Sequence, residues 1–268
     1  AVADIRQVGL CHSVQGTSKR VAEYIGADVD ECGFRVAGIN HQAWILEFTH
    51  RGEDAYGRLA EAMADPEVFA RDPVRFEMMR HFDYFVTESS HHNSEYLPYF
   101  RQTQEVRDRF DLKSREVRME PPRKRAWLAD TGVDGEPAVG ELKRSHEYTT
   151  GIMEATVTNT PYAFNGNVMN DGLITNLPDG CCVEVPCLVD RMGVTPCHVG
   201  DLPAQLAALN RSNVAVQELA VEAFLTRNRK AAFQAVALDP LTAAVLPLHR
   251  IREMFDEMWD AEMDLLEY

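Results

Sequence analysis

A cysteine and two histidines near the start of the chain carry side chains suited to metal chemistry. Cys11 and His12 stand together at the end of one apolar stretch, and His41 follows Cys11 by 30 residues at the end of another. A thiolate and an imidazole that meet at one edge of a sheet bind a divalent transition metal and leave positions open for substrate oxygens. One cysteine and one histidine at this separation are a weak signal, and iron, cobalt or zinc would suit them equally.

His12 has two interpretations. It directly follows Cys11, so on a strand its side chain would point to the opposite face. An ordinary histidine titrates near neutral pH and can serve as a general acid. A histidine that only makes a hydrogen bond at the surface or in the core has the same sequence context, and both interpretations stay open.

A second polar cluster lies in the segment from His91 to Tyr96, with His92 and Glu95 between them. A pair of histidines in a solvated turn needs no function. Tyr96 becomes a base only if a nearby cation lowers its pKa, which is about 10 in a free tyrosine. A role for Tyr96 therefore depends on this segment meeting a metal at the first cluster.

An asparagine-rich segment at 165–172 and a carboxylate in an apolar run are further candidates. Asparagine and glycine fit a tight turn, and asparagine amides also hydrogen bond to sugar hydroxyls. Glu184 lies between Val183 and Val185, where a buried carboxylate requires a partner. We expect it to be paired within the fold or to lie close to a functional site.

Hydrophobic patterns predict the elements that carry these residues. Strands are predicted at 5–10, 34–40, 42–49, 162–168, 181–190 and 194–199. Helices are predicted at 19–25, with Thr17 as N-cap and Gly26 closing it, at 54–64, 73–85 and 148–157, and repeatedly from Pro203 onward. The charged segment 101–143 is interpreted as an exposed helical arm. Strands early and mid-chain with a helical last third predict one α+β domain over residues 1–268.

The composition is that of an ordinary soluble globular protein, with 45% hydrophobic and 26% charged residues. The formal net charge of −15 argues against nucleic acid or an anionic membrane as a partner. No run of about 18 apolar residues predicts a transmembrane helix. The six cysteines contain no CxxC pair, and a chain of this length favours free thiols in a reducing cytoplasm.

Several stretches together resemble the sugar-processing domain of glycoside hydrolase family 4, most closely its α-galactosidase branch. The matching stretches are GLCHSVQGT at 9–17, AGINH at 37–41, FVTESS at 85–90, and the segments 165–168, 170–174 and 176–186. The resemblance extends over nearly the whole chain. It implies a fold like the C-terminal domain of lactate and malate dehydrogenases, with a mixed sheet and a helical C-terminal third.

Members of that family also carry an N-terminal Rossmann domain that binds NAD. The present sequence contains no GxGxxG motif of such a domain. It begins where that domain would end, so we expect about 150 residues of a nucleotide-binding unit to be missing from it. A truncated protein that only binds sugar or oligomerises with intact subunits is therefore an alternative to an active enzyme.

The resemblance implies roles for individual residues. Cys11 and His41 correspond to the two protein ligands of a divalent metal, usually Mn²⁺, and His12 corresponds to the proton donor for the leaving group. Tyr96 is the best match to the catalytic base, with Tyr99 as the alternative because the register is not fixed here.

Three asparagines are the expected sugar-binding residues, Asn40, Asn167 and Asn170. The segment 145–148 reads Ser-His-Glu-Tyr, where close relatives are expected to have Ser-Arg-Glu-Tyr. Any contact made by that arginine, to substrate or to a neighbouring subunit, is in doubt for this chain.

The reaction that the resemblance implies is an exception to two-carboxylate glycoside hydrolysis. NAD oxidises the sugar at C3, which acidifies the proton at C2, while the metal holds the C2 and C3 oxygens. Tyr96 removes that proton, His12 assists loss of the C1 substituent, water adds, and the hydride returns. The expected activity is that of a cytoplasmic α-galactosidase acting on a small glycoside as a homodimer or homotetramer.

Other activities remain open at this point. Relatives with α-glucosidase, α-glucuronidase or α-galacturonidase activity would share the same motifs. A substrate domain of the lactate or malate dehydrogenase type would share the fold. It is disfavoured because Cys11 and His12 together with His41 have no evident purpose in hydride transfer to a small hydroxy acid.

Overall fold

A seven-stranded sheet forms the centre of the fold, and the computed structural model describes it within residues 7–112 and 147–266. Its strands are β1 (Cys32–Ile39), β2 (Gln42–His50), β3 (Glu53–Asp54), β4 (Phe85–Val86), β5 (Tyr162–Met169), β6 (Cys182–Asp190) and β7 (Gly193–Pro196). The order is β3-β2-β1-β6-β5, with β4 beside β2 and β7 beside β6. All pairs between these strands are antiparallel. An isolated bridge between Ile174 and Gly200 is parallel.

Helices cover the sheet and fill the last third of the chain, which confirms the predicted α+β class. The helices are α1 (Ser13–Tyr24), α2 (Tyr56–Met63), α3 (Pro66–Arg71), α4 (Pro73–Phe82), α5 (Ser90–Asn93), α6 (Gln104–Arg109), α7 (Tyr148–Thr158), α8 (Ala204–Thr226), α9 (Arg229–Leu238), α10 (Pro240–Val245) and α11 (Leu248–Leu266). A short 3₁₀ turn spans Val29–Glu31. No helix in the described part is both long and apolar enough to cross a bilayer.

The first helix begins earlier than predicted. Its N-cap is His12 rather than Thr17, and Thr17 lies inside the helix. The buried Thr17 hydroxyl donates to the backbone oxygen of Thr87. This tertiary partner replaces the capping role that its residue type indicated. Gly26 follows the helix with a φ of +65°, in agreement with the predicted C-terminal glycine.

Two other predicted segments are only partly described. Of the strand predicted at 5–10, residues from Gln7 onward are described, and Gly9 forms a single bridge with Asn167 rather than a strand. Of the charged arm predicted at 101–143, the structure describes residues up to Leu112, which include α6. The remainder of that prediction lies outside the described residues.

The sheet has a hydrophobic core on each face. Val36, Ile45 and Phe48 pack on one face with Val21 of α1 and Phe76 of α4. Alternate residues of β6 occupy the other face, where they pack with residues from α7 and α8. Each fully buried aliphatic or aromatic side chain contributes about 1.5–3 kcal/mol. A third cluster contains Trp44 of β2 and Val86 of β4, and the three clusters together hold the sheet edge that carries the polar residues.

Candidate functional site

The turn between β1 and β2 places His41 at the rim of the sheet. Ile39 pairs with Gln42, so Asn40 and His41 form the turn itself. His41 has a φ of +64°, in the left-handed region where histidine, asparagine and aspartate occur more often than most other side chains. Arg51, Asp83 and Asn159 share this conformation at other turns and helix ends, so the backbone of His41 by itself indicates a turn and not a function.

His41, Glu88 and His92 offer ligand atoms that all lie within 4.8 Å of one another. The His41 Nε2 atom lies 3.8 Å from Glu88 Oε2, and His41 Nδ1 lies 3.1 Å from His92 Nε2. Imidazole nitrogen and carboxylate oxygen are both donors for a divalent transition metal, and His41 Nε2 and Glu88 Oε2 face each other in this group. The group thus joins the first polar cluster of the sequence to the second.

Cys11 reaches this group through one hydroxyl. Its Sγ lies 3.2 Å from Ser13 Oγ, and Ser13 Oγ donates to Glu88 Oε2 at 3.0 Å. Cys11 is half-buried. Its Sγ is not among the ligand atoms of His41, Glu88 and His92 that lie within 4.8 Å of one another, and Cys11 connects to Glu88 only through Ser13 in the contacts of the described residues.

Tyr96 lies beside the same group. Its hydroxyl is 3.2 Å from His41 Nδ1, and its ring meets the His92 ring edge to face. Burial raises the pKa of Tyr96, and the negative charges of Glu88, Glu95 and Cys11 raise it further. A cation bound here would oppose that shift.

Tyr99 lies elsewhere. Its side chain is exposed and contacts the rings of Phe82 and Phe100. The sequence left Tyr96 and Tyr99 as alternative bases, and only Tyr96 contacts the histidines among the contacts of the described residues.

His12 lies at the N-terminal end of α1 and is held from α7. Its Nε2 atom is 2.8 Å from Glu147 Oε2, and its ring stacks on Tyr148 with the centroids 6.0 Å apart. The His12 side chain is 57% exposed, so it faces solvent or an incoming ligand. Glu147 and Tyr148, the last two residues of the Ser-His-Glu-Tyr segment, therefore contact His12. Ser145 and His146, where the segment differs from the expected motif, lie outside the described residues.

Asn167 and Glu184 lie side by side on β5 and β6, next to the segment that leads to Cys11. The backbone of Asn167 exchanges two hydrogen bonds with Gly9, and its Nδ2 donates to Gly9 O at 3.3 Å. Within the described part, Asn167 Oδ1 and both Glu184 oxygens are buried without a hydrogen-bond partner. Burial, and then the charge of Glu88, raises the pKa of Glu184 to about 7. Two expectations were stated for Glu184, a partner within the fold or a position close to a functional site. The described residues provide no hydrogen-bond partner, and the carboxylate lies near Glu88 of the site.

The other two predicted sugar-binding residues, Asn40 and Asn170, differ from Asn167 and from each other in their surroundings. Asn40 is half-buried in the turn beside His41. Asn170 is buried, its Nδ2 donates to three backbone oxygens, and its Oδ1 accepts from Ile174 N. The structure does not bring Asn170 to the cluster, because its amide is already used to hold the 170–178 loop together.

A buried ion pair supports the loop that carries Glu88 and His92. The Arg75 Nη2 atom lies 2.5 Å from Asp72 Oδ2, and both side chains are 7% exposed. Arg75 Nη1 donates to Thr17 Oγ1 at 2.8 Å, and Thr17 in turn donates to Thr87 O. This network connects α4 and α1 to the residue immediately before Glu88.

Glu88 and Glu147 are the functional candidates to which the sequence assigned no role. Glu88 follows the short strand β4 within a run of polar residues. A carboxylate at the end of a strand is a feature by which the sequence could have indicated it. Glu147 precedes α7 and is 135 residues from His12, so no local pattern joins the two.

Most of the chain matches one known protein family. The Family 4 glycosyl hydrolase C-terminal domain matches residues 36–242, which is most of the chain. The chain belongs to glycosyl hydrolase family 4. The resemblance stated from the motifs is thereby confirmed.

Curated relatives of this family 4 chain include two bacterial α-galactosidases. It is 42% identical to the α-galactosidase of Bacillus subtilis (strain 168), with 98% of this chain and 62% of the relative covered. It is 33% identical to the α-galactosidase of Rhizobium meliloti (strain 1021), with 94% and 54% covered. The chain thus spans a little more than half of the length of these relatives.

Solved structures share the fold. The crystal structure of lplD from Bacillus subtilis has a TM-score of 0.77 at 25% identity, covering 95% of this chain and 63% of that one. A 6-phospho-α-glucosidase from gut microorganisms, in complex with NAD and Mn²⁺, has a TM-score of 0.70 at 21% identity, covering 97% and 62%. The predicted fold of a family 4 C-terminal domain is confirmed.

Proposed function

We propose that this chain supplies the metal- and sugar-binding part of an NAD- and Mn²⁺-dependent α-galactosidase. The observation that carries the proposal is that Glu88 and Tyr96 both approach His41, at its Nε2 and Nδ1 atoms, while Ser13 links Glu88 to Cys11. The identity to two α-galactosidases favours galactose as the sugar. The complex of the structural neighbour with NAD and Mn²⁺ favours these cofactors.

The donor set of the site fits a divalent metal. Cys11 and His41 would hold Mn²⁺, and Glu88 Oε2 lies within reach of the same position at 3.8 Å from His41 Nε2. When bound, Mn²⁺ would supply a Lewis acid for the sugar, and NAD would supply a hydride acceptor. No residue is assigned to NAD, because the sequence contains no GxGxxG motif.

His12 delivers a proton to the leaving group in this proposal. In its imidazolium form both ring nitrogens carry a hydrogen. Glu147 accepts the hydrogen on Nε2, at 2.8 Å. The hydrogen on Nδ1 then remains for the oxygen that leaves C1.

Tyr96 removes the proton from the sugar C2. Burial and the neighbouring carboxylates keep its phenol protonated, since they raise its pKa. A cation held at Cys11 and His41 would oppose this rise in the pKa of Tyr96. Asn40, in the turn beside His41, and Asn167, beside Gly9, are the residues proposed to hydrogen bond to sugar hydroxyls.

The test is hydrolysis by the full-length protein that contains this chain. We expect release of nitrophenol from p-nitrophenyl α-galactoside only when NAD, Mn²⁺ and a thiol reductant are all present. Full activity after chelation and removal of NAD would contradict the proposal. Parallel assays with the α-glucoside, α-glucuronide and α-galacturonide test the choice of sugar, and preference for one of them would overturn the assignment to galactose.

A matched pair of tyrosine variants tests the base. We expect Tyr96→Phe to lower kcat by about 10²–10⁴-fold, the usual contribution of a general base. Tyr99→Phe should change kcat little, because Tyr99 contacts Phe82 and Phe100 instead of the histidines. The rate of nitrophenol release at saturating substrate measures both. An equal loss in the two variants would rule out the assignment of Tyr96.

A further inference from the structure

We infer that His92 and Glu95 orient the metal ligand His41 through a chain of hydrogen bonds, here called the histidine relay (Glu95–His92–His41). The relay places a hydrogen on His41 Nδ1 and leaves the lone pair of His41 Nε2 for the metal. The inference rests on the proposed metal site and extends it to positioning residues that do not themselves bind the ion.

The first link fixes the tautomer of His92. Its Nδ1 atom lies 2.6 Å from Glu95 Oε2. A carboxylate only accepts hydrogen bonds, so Nδ1 of His92 must carry the hydrogen. Neutral His92 then has its lone pair on Nε2. Arg101 Nη2 lies 3.4 Å from the other oxygen of Glu95, and this contact keeps the carboxylate facing His92.

The second link fixes the tautomer of His41. His92 Nε2 lies 3.1 Å from His41 Nδ1. If His41 Nδ1 carried a lone pair, two lone pairs would face each other at this distance. His41 Nδ1 therefore donates to His92 Nε2, and the Tyr96 oxygen, 3.2 Å from the same nitrogen, acts as a second acceptor.

The relay ends at His41 Nε2, and the surroundings of this atom favour a cation. With its hydrogen on Nδ1, His41 has a lone pair on Nε2, and that atom faces Glu88 Oε2 at 3.8 Å. A lone pair and a carboxylate oxygen repel unless a positive ion lies between them. Two ligand atoms that are each about 2.1 Å from one metal ion lie about 3–4 Å apart, so the separation suits a shared ion.

Metal-binding histidines usually donate their second N–H to an oriented acceptor, and loss of that acceptor lowers metal affinity about 10–100-fold. In this chain the acceptor is another histidine, whose own tautomer is set by Glu95. His92 and Glu95 are close in sequence on one side of the site, while His41 comes from the hairpin turn on the other. The relay therefore joins two elements into one ligand arrangement.

The experiment measures Mn²⁺ affinity by calorimetry on the metal-free, full-length protein. We expect His92→Leu and Glu95→Ala to raise the Kd about 10–100-fold, and Glu95→Gln, which keeps an acceptor oxygen, to raise it about 3–10-fold. His81→Leu is the matched control, because His81 is an exposed histidine of α4 that pairs with Glu77. Its Kd should equal that of the wild type.

Visible spectra of the Co²⁺-substituted protein give a second readout that a purely structural role would not move. We expect the ligand-field bands to shift in the relay variants and to stay unchanged in His81→Leu. If His92→Leu does not fold, Glu95→Gln decides, because it conserves size and shape.

The outcomes separate this inference from the proposed function. A Kd and a Co²⁺ spectrum like those of the wild type in folded relay variants would overturn the relay alone. No binding of Mn²⁺ by the wild type would overturn both the relay and the metal site. Weakened Mn²⁺ binding in the variants, together with a wild type that hydrolyses no glycoside, would overturn the glycosidase and leave the relay standing.

Discussion

At the scale of one residue, Glu184 is a side chain whose position in the fold lowers the stability of the folded state. Its side chain is fully buried, and neither carboxylate oxygen has a hydrogen-bond partner in the described part. A charge in such a position is unfavourable unless it is paired or neutralised. Burial and the nearby Glu88 raise the pKa of Glu184 to about 7 as a result. A neighbouring cation would relieve both effects, so we place Glu184 among the residues that a bound metal compensates.

The raised pKa makes a prediction about stability and pH in metal-free protein. Folded Glu184 binds its proton more tightly than a glutamate at the reference pKa of 4.5. Well below that pH the carboxyl is protonated in both the folded and the unfolded state, and its burial has no ionisation cost. The free energy of unfolding then falls as the pH rises from about 4.5 to about 7, by about 3 kcal/mol in total, and stays lower above pH 7.

We expect Glu184→Gln to remove this dependence, because an amide does not ionise. The variant should match the wild type near pH 4.5 and exceed its free energy of unfolding by about 3 kcal/mol at pH 8. Urea unfolding in the presence of a chelator at the two pH values measures this difference. Glu154→Gln, on the exposed side of α7, is the control and should show no such change. Equal stability of Glu184→Gln and the wild type at pH 8 would show that the carboxylate has a partner.

At the scale of elements, α8 joins the two parts of the site. Asn213 of α8 donates to Gln42 Oε1 at 3.0 Å and to the backbone oxygen of Tyr96 at 3.2 Å. Asn210, one turn earlier, donates to the backbone oxygen of Gln42 at 2.8 Å. One helix therefore holds the residue that follows His41 and the backbone of the candidate base. These buried hydrogen bonds set the position of the hairpin turn relative to the 88–96 segment.

Gly38 lets the hairpin pack closely enough for this arrangement. Its φ is +153°, and a Cβ there would lie 2.7 Å from Ala43 Cα and from Gln42 O. Both contacts are with backbone and cannot give way easily. Gly38 also pairs with Glu184 across the sheet, so a displacement of β1 would reach both His41 and the buried carboxylate.

We therefore expect Gly38→Ala to lower the free energy of unfolding by about 2–4 kcal/mol, from overpacking and backbone strain. It should also weaken Mn²⁺ binding, because it moves the turn that carries His41. Gly57→Ala is the control, since a Cβ at Gly57 in α2 has nothing within 4 Å and alanine favours helix. Urea unfolding compares the two. A Gly38→Ala variant as stable as Gly57→Ala would contradict this account of the hairpin.

At the scale of the whole molecule, folding concentrates negative charge around the site. The chain has a formal net charge of −15, and Glu88, Glu95 and Glu184 come together only in the folded state. A cation that binds the folded protein but not the unfolded chain stabilises it by about 2.7 kcal/mol at 100 times its Kd. Metal binding is therefore coupled to the stability of the molecule as a whole.

This coupling predicts the thermal behaviour of the full-length protein. Mn²⁺ at about 100 times its Kd should raise the Tm of the domain that binds it by about 5–10 °C over the chelated protein, since 1 kcal/mol corresponds to about 2–4 °C for a domain of about 150–250 residues. Mg²⁺ should raise it less, because it prefers oxygen ligands to imidazole and thiolate. Thermal melts with chelator, Mn²⁺ and Mg²⁺ make the comparison, and His41→Ala should abolish the response to Mn²⁺. A Tm for the wild type that is the same with and without Mn²⁺ would contradict the metal site.

The sequence by itself determined the β1–β2 hairpin and the family, while it extended the helix predicted at 73–85 into Phe85 of β4. The alternation of Phe34–Asn40 and of Gln42–Thr49 predicted the hairpin, and the structure has strands at Cys32–Ile39 and Gln42–His50. The motif at 9–17 and those that accompany it identified a family 4 chain, which the family comparison confirmed. Periodicity reports such elements because alternating side chains face opposite sides of a strand, and this property is local.

Only the tertiary structure decided which side chains meet. His41 and His92 are 51 residues apart, and His12 and Glu147 are 135 apart, so neither pair leaves a local pattern. The same holds where local chemistry pointed elsewhere: Thr17 donates to a distant backbone oxygen instead of capping a helix, and the amide of Asn170 is used within its own loop. Contacts of this kind depend on which sheet faces are buried. They also depend on which hydrogen-bonding groups lose contact with water and must find partners in the protein. The packing of the whole chain determines the burial of the faces and the loss of water.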